Sequence, residues 1–489
     1  MNDMLETAET PAGLRRVAID PVSRVEGHGK VTLLLDADDR VHQVRLHIVE
    51  FRGFEAFIRG RPYWEVPVIV QRLCGICPVS HHLAAAKAMD VIVGARRLTP
   101  TAEKLRRLMH YGQMLQSHAL HFFHLSSPDL LFGFDSDAAR RNIVGVVEAH
   151  PEIARQGILL RKFGQEVIRG TAGKRVHGTG AVPGGMNKSL APEERDALLK
   201  EVYQVVAWAR DAVHLIQRLH QADAAYYAQF GAVPSALFSL VGPAGALDFY
   251  QGTLRVRDAD GTLRHEGVRD ADYAGLIAEE VKPWSYMKFP FLRALGPADG
   301  WYKVGPLARI QNCDAIPTPL AERERRAFVD DAGGRLLHAP LAYHWARMIE
   351  MLHAAETIKD LLHDDALLGD ERMTGGDRVR EGIGIIEAPR GTLIHHYQVD
   401  DDDLVSMANL IVSTTHNNEA MNRAIREVAR RELNGHTLTE GLLNHIEVAI
   451  RAFDPCLSCA THALGKMPLQ LELYDAEGTC VAQLARGAA

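Results

Sequence analysis

Arg72-Leu-Cys74-Gly-Ile-Cys77-Pro-Val-Ser-His81 and Asp454-Pro-Cys456-Leu-Ser-Cys459-Ala-Thr-His462 each hold a C-x-x-C pair followed by a histidine. Thiolates are soft, charged donors, and four of them suit zinc, an iron–sulfur cluster or nickel. On spacing alone, a closed structural zinc site is the simplest reading. Two features weigh against it. The pairs lie 382 positions apart (456 minus 74), whereas zinc knuckles draw both pairs from one short segment. The histidines and the flanking charges of Arg72 and Asp454 would also have no use in a closed site. Cys313 and Cys480 stand alone and read as ordinary core or surface thiols.

Outward from the first pair, the N-terminal fifty residues read as strands. Arg15-Arg16 has no apolar stretch behind it and opens a strand rather than an export signal. Val31–Leu35 and Val41–Ile48 alternate around the polar turn 36–40, a hairpin pattern. Thr99-Pro100 supplies an N-cap and an N1 proline for a long helix whose buried stripe is Leu105, Leu108, Met109, Leu115, Ala119 and Phe122. Further helices are expected over Pro192–His220, Pro340–His363, Asn418–Leu433 and Leu438–Phe453, the last opened by a Thr437-x-x-Glu440 capping box. Strand-like pieces are Thr253–Val256, Trp301–Ile310, Gly382–Val399 and Val405–Thr415, and the acidic stretches 364–377 and 400–403 read as solvated loops. No repeat or long linker divides the chain, so the expected class is a helix-rich α+β fold.

Bulk properties narrow the function. The 489 residues are 47% hydrophobic with a net charge of −7 and no basic cluster, which argues against nucleic-acid binding. The longest apolar runs are too short to cross a bilayer. With an acidic N-terminus, the chain is expected in the cytoplasm with its cysteines reduced.

Taken together with Arg24-Val-Glu26-Gly-His28, Phe51-Arg-Gly-Phe-Glu55 and Glu387-Ala-Pro-Arg390-Gly, in that order along the chain, the two cysteine motifs resemble those of nickel–iron hydrogenase large subunits. The resemblance spans the chain, and the cysteine pairs set it apart from the related complex I subunit of the same fold. It implies that Cys74, Cys77, Cys456 and Cys459 ligate nickel, with Cys77 and Cys459 bridging to an iron that carries CO and cyanide. H2 is a very weak acid, and its heterolysis needs both a metal and a base.

The resemblance assigns further roles. Glu26 matches the glutamate that relays the proton from a terminal cysteine, a task suited to a buried carboxylate of raised pKa. Its bland alternative is an ion pair with Arg24. Arg390 matches an arginine held over the metals, where a planar fork suits the task better than lysine. Asp454 matches the aspartate that orients it, or is simply a turn opener. Pro389 and Thr414 resemble the backbone and hydroxyl donors to the cyanides. Glu55, the Leu410 carbonyl and His462 resemble the ligands of a magnesium ion. One departure stands out: Gln116-Ser117-His118 replaces the family's H-D-H, so Ser117 stands where many members carry an acid. His118, His121 and His124 on that helix read as packed, structural histidines.

Trp64-Glu-Val-Pro, His81-His82-Leu and the second cysteine motif are most similar to soluble NAD-reducing enzymes of the family. The chain has no dinucleotide or flavin fingerprint, so NAD, flavin and iron–sulfur clusters would sit on partners, namely diaphorase subunits and a small hydrogenase subunit. Alternatives with the same site use NADP, a deazaflavin or a heterodisulfide reductase as acceptor, or act as an H2 sensor. A zinc-stapled subunit of a redox complex is the alternative of another class. The resemblance also implies nickel-insertion proteins and a maturation peptidase that cuts between His462 and Ala463. That cut divides the chain into a large-subunit body, 1–462, and a 27-residue extension, 463–489 (489 minus 462), in which Pro468–Tyr474 alternates like a strand.

Overall fold

Strand β1 (Arg15–Ile19) pairs antiparallel with β2 (Gly29–Leu35), and β2 with β3 (Val41–Ile48), in the computed structural model, which describes residues 14–461, 470–474 and 480–485. The alternation noted above places Val31, Leu33, Val44, Leu46 and Ile48 in the core. Helix α1 (Pro78–Ile92) starts directly after Cys77. Helix α2 (Pro100–Leu120) begins where expected: the Thr99 hydroxyl accepts the Ala102 N–H at 3.2 Å. It crosses α3 (Pro151–Ala172) at close range, and α4 (Pro192–Ala222) packs behind them.

A mixed sheet follows, in the order β7-β4-β5-β6, from β4 (Ala236–Val241), β5 (Thr253–Arg257), β6 (Leu263–Val268) and β7 (Tyr302–Lys303). The strand expected over Trp301–Ile310 is corrected here. Gly305, at φ 94°, ends it after two paired residues, and Pro306 starts helix α5 (Pro306–Asn312). Helix α6 (Ala342–Leu362) is buried along most of its length.

The stretch expected as one strand-like piece, Gly382–Val399, is a hairpin of β8 (Glu381–Ala388) and β9 (Gly391–Val399), with Pro389 and Arg390 at its tip. Strand β10 (Val405–Ile411) completes this meander and ends before a helical turn, Ser413–His416, so the strand does not run on to Thr415. Helix α7 (Asn418–Val428) continues as a wider turn to Leu433. Helix α8 (Glu440–Ala452) is capped by Thr439, whose hydroxyl accepts the Leu442 N–H at 3.2 Å, so Thr437 forms no capping box. Near the C-terminus, Gln470–Tyr474 pairs antiparallel with Cys480–Ala485. Among the described residues, no helix is long and apolar enough to cross a membrane.

Candidate metal centre

Both cysteine pairs sit on irregular backbone tied down by side chains from distant elements. Cys74 ends a short 3-10 turn, Val70–Leu73, and Cys77 caps α1. Between them, the N–H groups of Ile76 and Cys77 point at the Cys74 sulfur at 3.1 and 3.3 Å. The loop is gripped from α2: the side chains of Gln113 and Gln116 both donate to the Ile76 carbonyl, at 2.9 and 2.8 Å. Gln116, read only as part of a motif departure, is thus a clamp on the first thiol pair. Ser117 is buried and brings no charge.

The second pair follows Asp454, a non-glycine residue held at φ 57°. It lies beside the N-terminal motif: Glu26 and Cys456 form a parallel bridge, and the Leu457 N–H donates to the Glu26 carbonyl at 3.0 Å. Gly27 is required there, because a Cβ would stand 2.6 Å from the Ser458 nitrogen. The Cys456 N–H donates to the Thr414 hydroxyl oxygen at 3.0 Å.

This arrangement brings four sulfurs, 382 positions apart in sequence, within 4.8 Å of one another, all buried. Cys74 and Cys456 are 3.1 Å apart, Cys456 and Cys459 2.9 Å, Cys77 and Cys459 3.8 Å. Hydrogen bonds from Cys456, Cys459 and Cys74 hold the Cys77 thiol well below its ordinary pKa, while burial pushes Cys456 and Cys459 well above theirs. Four thiolates at these distances repel, so a cation is needed before all four ionise. The donor set fits a soft transition metal.

Beside the sulfurs lies a small cavity lined by Cys77, His81, Pro389, Arg390, Thr414 and Cys459, among others. Arg390 is buried, its Nε donating to the Asp454 carbonyl at 2.6 Å and Nη2 to Asp454 Oδ1 at 3.0 Å. Burial works against its charge, but Asp454, Cys456, Cys77 and Cys74 keep it fully protonated. Among the described residues, Arg390 Nη1 and Asp454 Oδ2 have no hydrogen-bond partner, and two buried polar atoms left open in this way call for a ligand. Asp454 takes both of the Arg390 contacts, and burial raises its pKa against the pull of Arg390 and Arg347.

Glu26 is half-buried rather than fully buried, and the Cys456 sulfur lies 3.0 Å from its Oε2. The alternative pairing with Arg24 is absent: Arg24 makes a two-pronged contact with Asp129 instead. Thr414 lines the cavity with its hydroxyl hydrogen free of the Cys456 contact. Pro389 also lines it but has no N–H, so it cannot be a backbone donor; its carbonyl accepts from Arg309. Arg72 is exposed and takes no part. His81 shares a hydrogen bond with His395 at 3.2 Å. Cys313 is buried, its thiol pushed up to about 12 by desolvation, and Cys480's side chain lies outside the described residues. His118 pairs with Glu350 at 3.1 Å, His121 shares a hydrogen bond with the Arg451 carbonyl, and His124 is half-buried, all packed as expected.

Of the expected magnesium ligands, Glu55 and Leu410 are brought together. Glu55 Oε1 accepts the Leu410 N–H at 2.9 Å and lies 3.3 Å from the Lys288 ammonium. The contact to Leu410 is through its N–H, not its carbonyl, and the Lys288 ammonium is shared with Glu279, 3.4 Å away. His462 and Ala463 lie outside the described residues.

This fold and four-thiol centre are those of a known class. The sequence model described as nickel-dependent hydrogenase matches residues 52–136 and 248–462, and one described as HoxL-like matches 16–51. The chain belongs to the nickel-dependent hydrogenase family. It is 47% identical to the NAD-reducing hydrogenase HoxS subunit beta of Cupriavidus necator, over 96% of this chain and 100% of that protein. Identity to the matching subunit of the F420-non-reducing hydrogenase vhc of Methanococcus voltae is 39%, over 95% of this chain and 98% of that protein. A crystal structure of an NAD+-reducing NiFe hydrogenase in the H2-reduced state superposes with a TM-score of 0.90 at 61% identity, covering 92% of this chain and 99% of that one. The reduced NiFeSe hydrogenase of D. vulgaris Hildenborough, at 24% identity and a TM-score of 0.75, shares the fold.

Proposed function

We propose that this chain is the H2-activating large subunit of a cytoplasmic nickel–iron hydrogenase that exchanges electrons with NAD through partner subunits. The observation that carries the reading is the buried set of four sulfurs, with Arg390 lining the cavity beside them and Glu26 within hydrogen-bond distance of Cys456. Held by Cys74, Cys77, Cys456 and Cys459, a nickel–iron centre would supply the Lewis acidity that heterolysis of H2 requires. The chain's own part is positional and protonic. Arg390, whose Nη1 is uncommitted among the described residues, and Thr414 line the cavity and would offer donors to the CO and cyanide of a bound iron. Pro389 contributes an apolar wall. Asp454 holds the guanidinium in one orientation. Glu26 takes the proton from the Cys456 sulfur across 3.0 Å and passes it outward.

The identity to the NAD-reducing relative favours NAD over the other acceptors, with flavin-bearing diaphorase subunits and a small iron–sulfur subunit as partners. The test is infrared spectroscopy and metal analysis of the assembled enzyme. Nickel and iron in equal amounts, with CO and cyanide stretches, are expected; zinc alone would overturn the reading. The extension from Ala463 onward is assigned to maturation, cut after His462 by a peptidase once nickel-insertion proteins have loaded the site. Mass spectrometry of active enzyme should find a chain ending at His462, and an active nickel-loaded chain still carrying Ala489 would refute this.

A further inference from the structure

Arg309, on α5, lies in a stretch the sequence pattern assigns to a strand, and none of the motifs includes it. It is completely buried. A guanidinium has five N–H donors, and every one of them is used here. Nε donates to Glu350 Oε1 at 2.6 Å and Nη2 to Glu350 Oε2 at 2.7 Å. Nη1 donates to Glu387 Oε2 and to the Ala388 carbonyl, both at 2.8 Å, and Nη2 also reaches the Pro389 carbonyl at 3.2 Å. The groups it holds on the hairpin therefore belong to three consecutive residues, 387, 388 and 389, directly before Arg390.

That placement has a geometric consequence. The fixed contacts of the Arg390 guanidinium both go to Asp454, which is on another part of the chain. Where its free Nη1 points thus depends on where the hairpin tip stands relative to Asp454. Glu387 anchors the tip a second time, accepting the Leu240 N–H at 2.8 Å and the Thr392 hydroxyl at 2.7 Å. Glu350 is itself steadied by His118 at 3.1 Å. One positive group between two carboxylates leaves a net negative charge in the layer, and Arg347, fully buried and facing both Glu350 and Asp454, offsets it.

We propose that Arg309 is a positioning residue for the metal centre: by gripping the backbone of the β8–β9 tip it sets the height and orientation of Arg390 over the cavity. The inference rests on the function proposed above. A lysine at 309 would keep the charge but has three donors on one point, which cannot span two carboxylates and two carbonyls. The experiment uses the assembled enzyme with Arg309→Lys, and Glu350→Gln as a milder variant that removes one anchor of the same fork. In nickel- and iron-replete samples the cyanide stretches should shift, and H2 oxidation should fall on the order of 10²-fold for R309K, as a displacement of about 1 Å can produce. E350Q should move both readouts less, in the same direction, and it decides the matter if R309K does not accumulate. Cyanide bands at their wild-type positions with near wild-type turnover would overturn the proposal. If the wild-type enzyme lacks such bands, the functional reading fails instead. The crystal structure of R309K then decides: an unmoved Arg390–Asp454 contact refutes the positioning role, and a displaced one supports it.

Discussion

Replacing Arg390 with lysine keeps a positive charge but gives up the paired contacts to the Asp454 carbonyl and carboxylate. Nickel and iron should stay bound while H2 oxidation falls by orders of magnitude, because the planar fork is what the site uses. Near wild-type turnover of a metal-replete R390K enzyme would make Arg390 a structural residue only. Glu26→Gln preserves shape but cannot carry a proton at neutral pH. It should leave the infrared signature intact and abolish isotope exchange between H2 and D2O; exchange at full rate would place the proton exit elsewhere. These residues are legible in the sequence because their chemistry allows few substitutes and sits inside short motifs. Gln113, Gln116 and Arg309 are not, since each acts on backbone carbonyls contributed by another part of the chain, and nothing beside them in sequence marks that.

At the level of elements, the crossing of α2 and α3 leaves no room for a side chain at its glycines. A Cβ on Gly164 would stand 2.7 Å from the Gly112 carbonyl oxygen and 2.8 Å from the Gln116 Cβ. Gly164→Ala should therefore cost about 1–3 kcal/mol, the usual penalty of overpacking. It should also loosen the Gln116 grip on the cysteine loop. Thermal unfolding is the measurement, and an unchanged midpoint would mean that the crossing has slack. Helices whose apolar positions repeat on one face, such as α2 and α4, can be read from the sequence. Helix α1 cannot, because it is buried almost all round and shows no polar face to set a period. Glycines at 157, 164 and 170 lower the helix propensity of α3 in the same way that they permit its close packing. The cap of α8 falls on Thr439 rather than on the expected Thr437, because the helix starts at Glu440 and not at Leu438.

Across the whole molecule, burial is shared by many histidines held neutral. Desolvation lowers His47, His82, His110, His118 and His353 to about 4, and His344 and His416 to about 3, from 6.5. Between pH 6.5 and about 4 the unfolded chain binds protons that the folded chain refuses. Their contribution to stability is thus complete above pH 6.5 and declines as the pH falls through that window. The urea midpoint at pH 5 should lie well below that at pH 7.5, with net proton uptake on unfolding; an equal or higher midpoint would contradict the burial. The separation of the two thiol pairs has a consequence in time. At about 5–20 residues per second, synthesis reaches Cys456 roughly 20 to 80 seconds after Cys74. Throughout that interval Cys74 and Cys77 wait on the ribosome without their partners, open to oxidation and to stray metal. A chain released before Cys456 is made would carry half a nest of sulfurs, however well its helices had packed.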